Sequence, residues 1–125
     1  MCETRVMDDA IRRALESERV IDITTHGRRS GQAHRIETWF HNLDGRVYLT
    51  GSPGKRGWYA NLLVDPRLVF HLKQSVQADL PARGRPVVER SEKRAVLGRI
   101  LSRLGRDAAL DEWVARSPLV EVEFD

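Results

Sequence analysis

The chain has one cysteine in 125 residues, so it cannot form a disulfide within itself. That residue, Cys2, stands at the N-terminal edge, where an incidental thiol is expected rather than a reactive one. No apolar run approaches the roughly 20 residues that a membrane-spanning helix needs. The opening segment, MCETRVMDDA, mixes acids and bases and holds no apolar signal region. The expected compartment is therefore the cytoplasm. Repeats, low-complexity tracts and linker-like stretches are also missing, and at this length one domain spanning residues 1–125 is expected. The four histidines, His26, His34, His41 and His71, lack any ligand spacing, so no metal site is expected. No nucleophile-and-base pair stands out either.

What remains is an ordinary globular mixture, 41% hydrophobic and 31% charged, which excludes a disordered chain. Three lysines stand against 18 arginines, and the net charge is +3. The distribution says more than the total. Residues 26–35, HGRRSGQAHR, carry three arginines and no acid, and residues 85–106 carry seven basic residues against two acidic ones. Binding of single-stranded nucleic acid would want aromatic side chains among those charges, and neither segment has one. Nucleic acid is therefore not the expected partner.

Asp8 or Asp9 can cap a first helix whose Ile11, Ala14 and Leu15 form an apolar stripe. From Arg19, RVIDITTHG alternates Ile21, Ile23 and Thr25 against Val20, Asp22 and Thr24, a strand of period two. RIETWFHNL and RVYLTG read as two further strands joined by the Asp44-Gly45 pair favoured in tight hairpins. WYANLLV reads as a short helix ended before Pro66. RLVFHLK and VQADLPARGRPVV read as strands, with Pro81 suggesting an edge or a bulge. In SEKRAVLGRILSRL, residues Val96, Leu97, Ile100, Leu101 and Leu104 share one helical face, with Arg90, Arg94, Arg99, Arg103 and Arg106 mostly opposite, as a solvated face should be. A short helix near 108–114 and a final strand, PLVEVEF, follow. This order predicts an α+β, mainly β protein: a six-stranded antiparallel barrel, partly open, with peripheral helices.

The basic loop lies between two hairpin strands, so its arginines sit at a sheet end. Gly27 and Gly31 allow a backbone turn in which successive N–H groups converge on an anion. Arg28 and Arg29 can present planar forks, Ser30 a hydroxyl, and Arg35 can close the far side. The second loop, Ser52 to Gly57, repeats the chemistry with Lys55 and Arg56 before a helix N-terminus. Two such loops at one barrel end would clamp an anion; the plainer alternative is a pair of solvated turns. Trp39, Phe40 and Tyr48 read mainly as core, with one of them lining a ring-shaped pocket as the sharper alternative. Trp113 reads as a helix-to-barrel anchor.

TTHGRRSGQAHR, DGRVYLTGSPG and WYANLLVDP resemble, in order, the landmarks of the deazaflavin-dependent nitroreductase family. The pattern Gly-Arg-x-Ser-Gly-x-x-Arg is matched by Gly27, Arg28, Ser30, Gly31 and Arg35, and Trp-Tyr-x-Asn-Leu by Trp58, Tyr59, Asn61 and Leu62. The resemblance implies a split β-barrel related to the flavin-binding pyridoxamine-phosphate oxidase-like fold. It also implies an oxidoreductase that uses a bound deazaflavin, coenzyme F-420. Arg28, Arg29, Ser30 and Arg35 would then hold the phosphate and acidic tail. Ser52 and Gly54 would lie by the ring or its ribityl chain through backbone N–H groups, with Lys55 nearby, and Trp58 and Asn61 would fix the loop. No protein side chain need be catalytic, because the cofactor carries the hydride. The partner would be a small electron-poor molecule such as an enone, quinone or nitro compound. The loop before Trp58 is shorter than the family's, and LGRDAALDEW lacks the tyrosines that the founding nitroreductase carries before its last tryptophan. Alternatives are a barrel holding FMN and a non-catalytic carrier of a deazaflavin or other anion. A homodimer is possible for such barrels.

Overall fold

The computed structural model describes residues 8–125; Cys2 lies outside them. The elements are α1 (Asp9–Ser17), β1 (Val20–His26), β2 (Ala33–Leu43), β3 (Arg46–Thr50), α2 (Gly57–Val64), β4 (Arg67–Leu72), β5 (Ala78–Pro86), α3 (Arg90–Leu104), a 3-10 turn (Asp107–Ala109), α4 (Leu110–Arg116) and β6 (Leu119–Phe124). The strands form the expected six-stranded antiparallel barrel in the ring order β1-β2-β3-β6-β5-β4.

The ring is closed, but unevenly. Strand β2 has 11 residues and β3 only five. Only Phe40 to Leu43 of β2 pair with β3, whereas residues 33–39 pair with β1 alone. The barrel is therefore shut along one half of β2 and split along the other, which reconciles the partly open reading with a complete ring.

Period-two alternation decides what faces inward. Ile21, Ile23 and Thr25 of β1 are buried, and Phe40, Leu49, Leu68 and Val120 join Ile21 and Ile23 in the barrel core. Phe70 sits edge-on to both Phe40 and Phe124, with ring centres 5.2 Å apart in each pair. Burying a side chain of this kind stabilises the fold by about 1.5–3 kcal/mol. Helix α1 adds Ala14 and Leu15 to the same core, and Asp8 caps it by accepting a hydrogen bond from Ala10 N at 2.7 Å. Helix α2 adds Trp58 and Leu62. A second cluster lies on the barrel's outer side, where the α3 stripe Val96, Leu97, Ile100 and Leu101 covers Leu43, Tyr48 and Leu119, with Trp113 of α4.

Local sequence explains the joints. Asp44 and Gly45 both adopt left-handed backbone, φ 55° and 93°, as a tight hairpin turn demands. Pro81 faces the end of β6: its carbonyl accepts from Asp125 N, so its missing N–H falls on that side and not on the β4 ladder. Helix α3 starts one residue before Ser91, because Glu89 serves as its cap. The Glu89 carboxylate accepts from Ser91 N and Glu92 N, both at 2.9 Å, and these bonds hold it below the ordinary glutamate range. No helix among the described residues is long and apolar enough to cross a membrane.

Candidate functional site

The basic loop and the start of α2 enclose a cavity of about 370 Å³ in the split half of the barrel. Arg28, Arg29, Ser30, Trp58 and Asn61 all line it, as does His34. No carboxylate does. The loop is held from below. Asn61, buried on α2, accepts hydrogen bonds through Oδ1 from Arg28 N (3.1 Å) and Arg28 Nη1 (3.0 Å), and donates through Nδ2 to Thr25 Oγ1 (3.2 Å). Gly31 takes φ 74°, and Ser30 Oγ accepts from Gln32 N, closing the turn. Arg29 is exposed and has no partner among the described residues. The α2 N-terminus has no side-chain cap, so its first N–H groups stay available to an anion.

Arg35 does not join this group. His34 and Ile36 line the cavity, and strand alternation turns Arg35 to the opposite face of β2. There its Nε donates to Asp22 at 2.9 Å. Asp22 also accepts from Lys73 Nζ at 2.7 Å, and Lys73 pairs in turn with Glu37. The hydrogen bonds from Lys73 and then Arg35 hold Asp22 below the usual aspartate range.

The second loop also divides. Ser52 lines a separate cavity of about 560 Å³ on the other side of Trp58, whose side chain borders both spaces. This second space is walled by Trp39 and Trp113 and edged by His41, Arg56 and Arg106. Trp39 is half exposed and is the one of the three aromatics that lines this cavity, whereas Phe40 and Tyr48 are buried. Trp113 is buried and does anchor α4 to the barrel, while also facing the cavity. Gly54 and Lys55 fall beyond Arg56, in a third hollow beside Tyr59 and Ser117. Gly54 N is already used, donating to Arg116 O at 3.1 Å. It is not the free ring-side donor that the sequence suggested. Arg56 ties the loop together through Ser52 O (2.9 Å) and Lys55 O (3.2 Å). A Cβ at Gly51 or Gly54 would come within 3.2 Å of its guanidinium, so glycine suits both places.

His41 and Arg106 were not singled out for this site by their sequence neighbourhoods. Burial first, then the charges of Arg19 and Arg103, lowers His41 to about 4, so it is neutral at physiological pH. No group of three or more metal-ligating side chains occurs among the described residues. The arginines of α3 are mostly engaged within the protein: Arg94 with Asp111, Arg99 with Asp44 and Arg103 with Asn42 O. That weakens the case for a nucleic-acid surface there.

The chain is thus a split barrel with an acid-free basic cradle beside an aromatic cavity, the two sharing Trp58 as a lining residue. Among solved structures the chain is similar to a conserved hypothetical protein of Mycobacterium tuberculosis (22% identity, 98% of this chain and 85% of that one, TM-score 0.74). It is also similar to an FAD-binding protein of Mesorhizobium loti (14%, 97% and 92%, 0.63) and to a reductase dependent on reduced F-420 (17%, 97% and 100%, 0.63). At these identities the likeness establishes the fold. None of the curated proteins matches the chain. Residues 3–108 match the family model "F420H(2)-dependent quinone reductase", and the chain belongs to that family of reductases using reduced coenzyme F-420.

Proposed function

We propose that the protein reduces a small quinone or similar electron-poor acceptor, with the coenzyme's phosphate and acidic tail at the basic loop and its ring reaching past Trp58. The observation that carries this reading is the acid-free cavity lined by Arg28, Arg29, Ser30 and the uncapped start of α2, opening beside an aromatic cavity of suitable size. An anion entering the first space meets one guanidinium already oriented by Asn61 and another with no internal partner. When bound, the reduced coenzyme supplies a hydride. The chain's own residues do the rest: Asn61 sets the loop, Arg28 and Arg29 bind negative charge, Trp58 forms the wall shared by both spaces, and Trp39 and Trp113 exclude water from a flat acceptor.

The test is a pair of fluorescence titrations of the purified protein, one with oxidised coenzyme F-420 and one with FMN. Micromolar or tighter F-420 binding with much weaker FMN binding is expected. Reoxidation of the reduced, bound coenzyme should then quicken when a quinone is added. The reverse cofactor preference would make the protein a flavin barrel, and binding without faster reoxidation would make it a carrier.

A further inference from the structure

We propose that His41 and Arg106 together bind the carbonyl oxygen of a planar aromatic quinone in the tryptophan-walled cavity and stabilise the negative charge that reduction places there. This rests on the preceding reading of the groove and adds the two side chains that meet the acceptor.

Both groups line the same cavity, although they lie on different elements: His41 on β2 and Arg106 just after α3. Arg106 is fixed through its backbone, whose N–H donates to Leu101 O at 2.8 Å, while its guanidinium has no partner among the described residues. Its neighbours Arg99 and Arg103, by contrast, do reach partners. The His41 side chain likewise has no hydrogen-bond partner among the described residues. Behind it, a smaller hollow is lined by Glu16, Glu18, Arg19 and Arg103, and the two arginines together with burial keep the imidazole neutral. No carboxylate lines the tryptophan cavity itself.

That pairing suits a specific balance of charge. A quinone that accepts a hydride gains two electrons and one proton and becomes a hydroquinone monoanion; a proton from water then completes the hydroquinone. The charge appears on oxygen before that second proton arrives. A neutral imidazole N–H can donate to the oxygen without surrendering its proton, and a guanidinium lining the same cavity supplies the opposite charge. Between two indole walls such a pair acts more strongly than it would in water.

The test uses protein saturated with oxidised coenzyme F-420 and follows binding by calorimetry. Lawsone, a hydroxynaphthoquinone that is an anion at neutral pH, stands in for the charged product; menadione is the neutral control. His41→Phe and Arg106→Gln should each weaken lawsone binding roughly tenfold, the loss of one charge-assisted hydrogen bond. Menadione binding should change less, and His41→Gln, which keeps a donor, should restore most of the lawsone affinity. The His41 ring N–H resonance should shift when lawsone is added to the native protein. Unchanged lawsone affinity in both variants, with the coenzyme still bound, would overturn the assignment while leaving the groove reading intact. Failure of the native protein to bind the coenzyme would remove the groove reading and this inference with it. Lawsone affinity that rises with a midpoint near pH 6.5 as the solution is acidified would mean that His41 acts as a cation, contrary to the proposal.

Discussion

Asn61 Oδ1 receives both the backbone N–H and the guanidinium of Arg28, so one amide on α2 sets the shape and the charge of the basic loop. Replacing it with leucine removes these bonds and leaves Thr25 Oγ1 without its partner. Asn61→Leu should lower stability by about 1–3 kcal/mol. Urea denaturation would measure that loss, and a titration of the variant should show weaker coenzyme binding. Unchanged coenzyme affinity would separate the Asn61–Arg28 contact from the binding site.

Arg29 and Arg35 offer a contrast within one loop and strand. Arg29 borders the cavity with no internal partner, whereas Arg35 projects from the other face and is paired with Asp22. Arg29→Ala should weaken F-420 binding by about 1–3 kcal/mol with little change in melting temperature. Arg35→Ala should leave coenzyme affinity within about twofold, since a surface ion pair of this kind contributes only about 0–1 kcal/mol to stability. Equal losses of affinity in the two titrations would contradict the geometry.

Gly84 of β5 lies against Leu62 of α2. A Cβ there would stand 3.0 Å from Val120 Cγ1, 3.1 Å from Leu62 Cδ1 and 3.3 Å from Leu68 Cδ2. All three neighbours are buried and cannot all withdraw. Gly84→Ala should therefore destabilise the fold by about 1–3 kcal/mol through overpacking, read as a lower denaturation midpoint at an unchanged denaturant slope.

His41 gives the stability a pH dependence. Its folded value near 4 lies below the ordinary histidine value of 6.5, so the unfolded chain binds the proton more readily. Stability is fully present above about pH 6.5 and declines as pH falls toward about 4, with a slope of up to about 1.4 kcal/mol per pH unit from this one group. His41→Gln should flatten that part of the curve. Denaturation midpoints collected over the same pH range would show it.

Periodicity made the barrel legible. The alternation in VIDITT fixed which residues of β1 are buried, and the stripe from Val96 to Leu104 fixed the buried face of α3. The same rule, counted from Ile36, would have turned Arg35 away from the loop. The glycine-arginine-serine pattern encodes charge but not strand phase, so by itself it groups Arg35 with the loop. Loops have no period, and the Arg56 guanidinium that separates Ser52 from Gly54 and Lys55 could not be foreseen. Nor could the shared cavity of His41 and Arg106, since it depends on where α3 ends against the sheet, far along the chain. Sequence located the basic cradle; three-dimensional packing alone supplied the second cavity.

The ring order has a consequence for biosynthesis. Before β6 is made, the other strands can assemble only as an open sheet, β3-β2-β1-β4-β5, with β3 and β5 as its bare margins. Both margins belong to β6, through rungs such as Val47 with Val122 and Gly84 with Val122. A nascent chain halted before Leu119 would carry two unsatisfied sheet edges out of the ribosome, each able to capture a neighbouring chain. Pairing of β6 with both margins closes the ring.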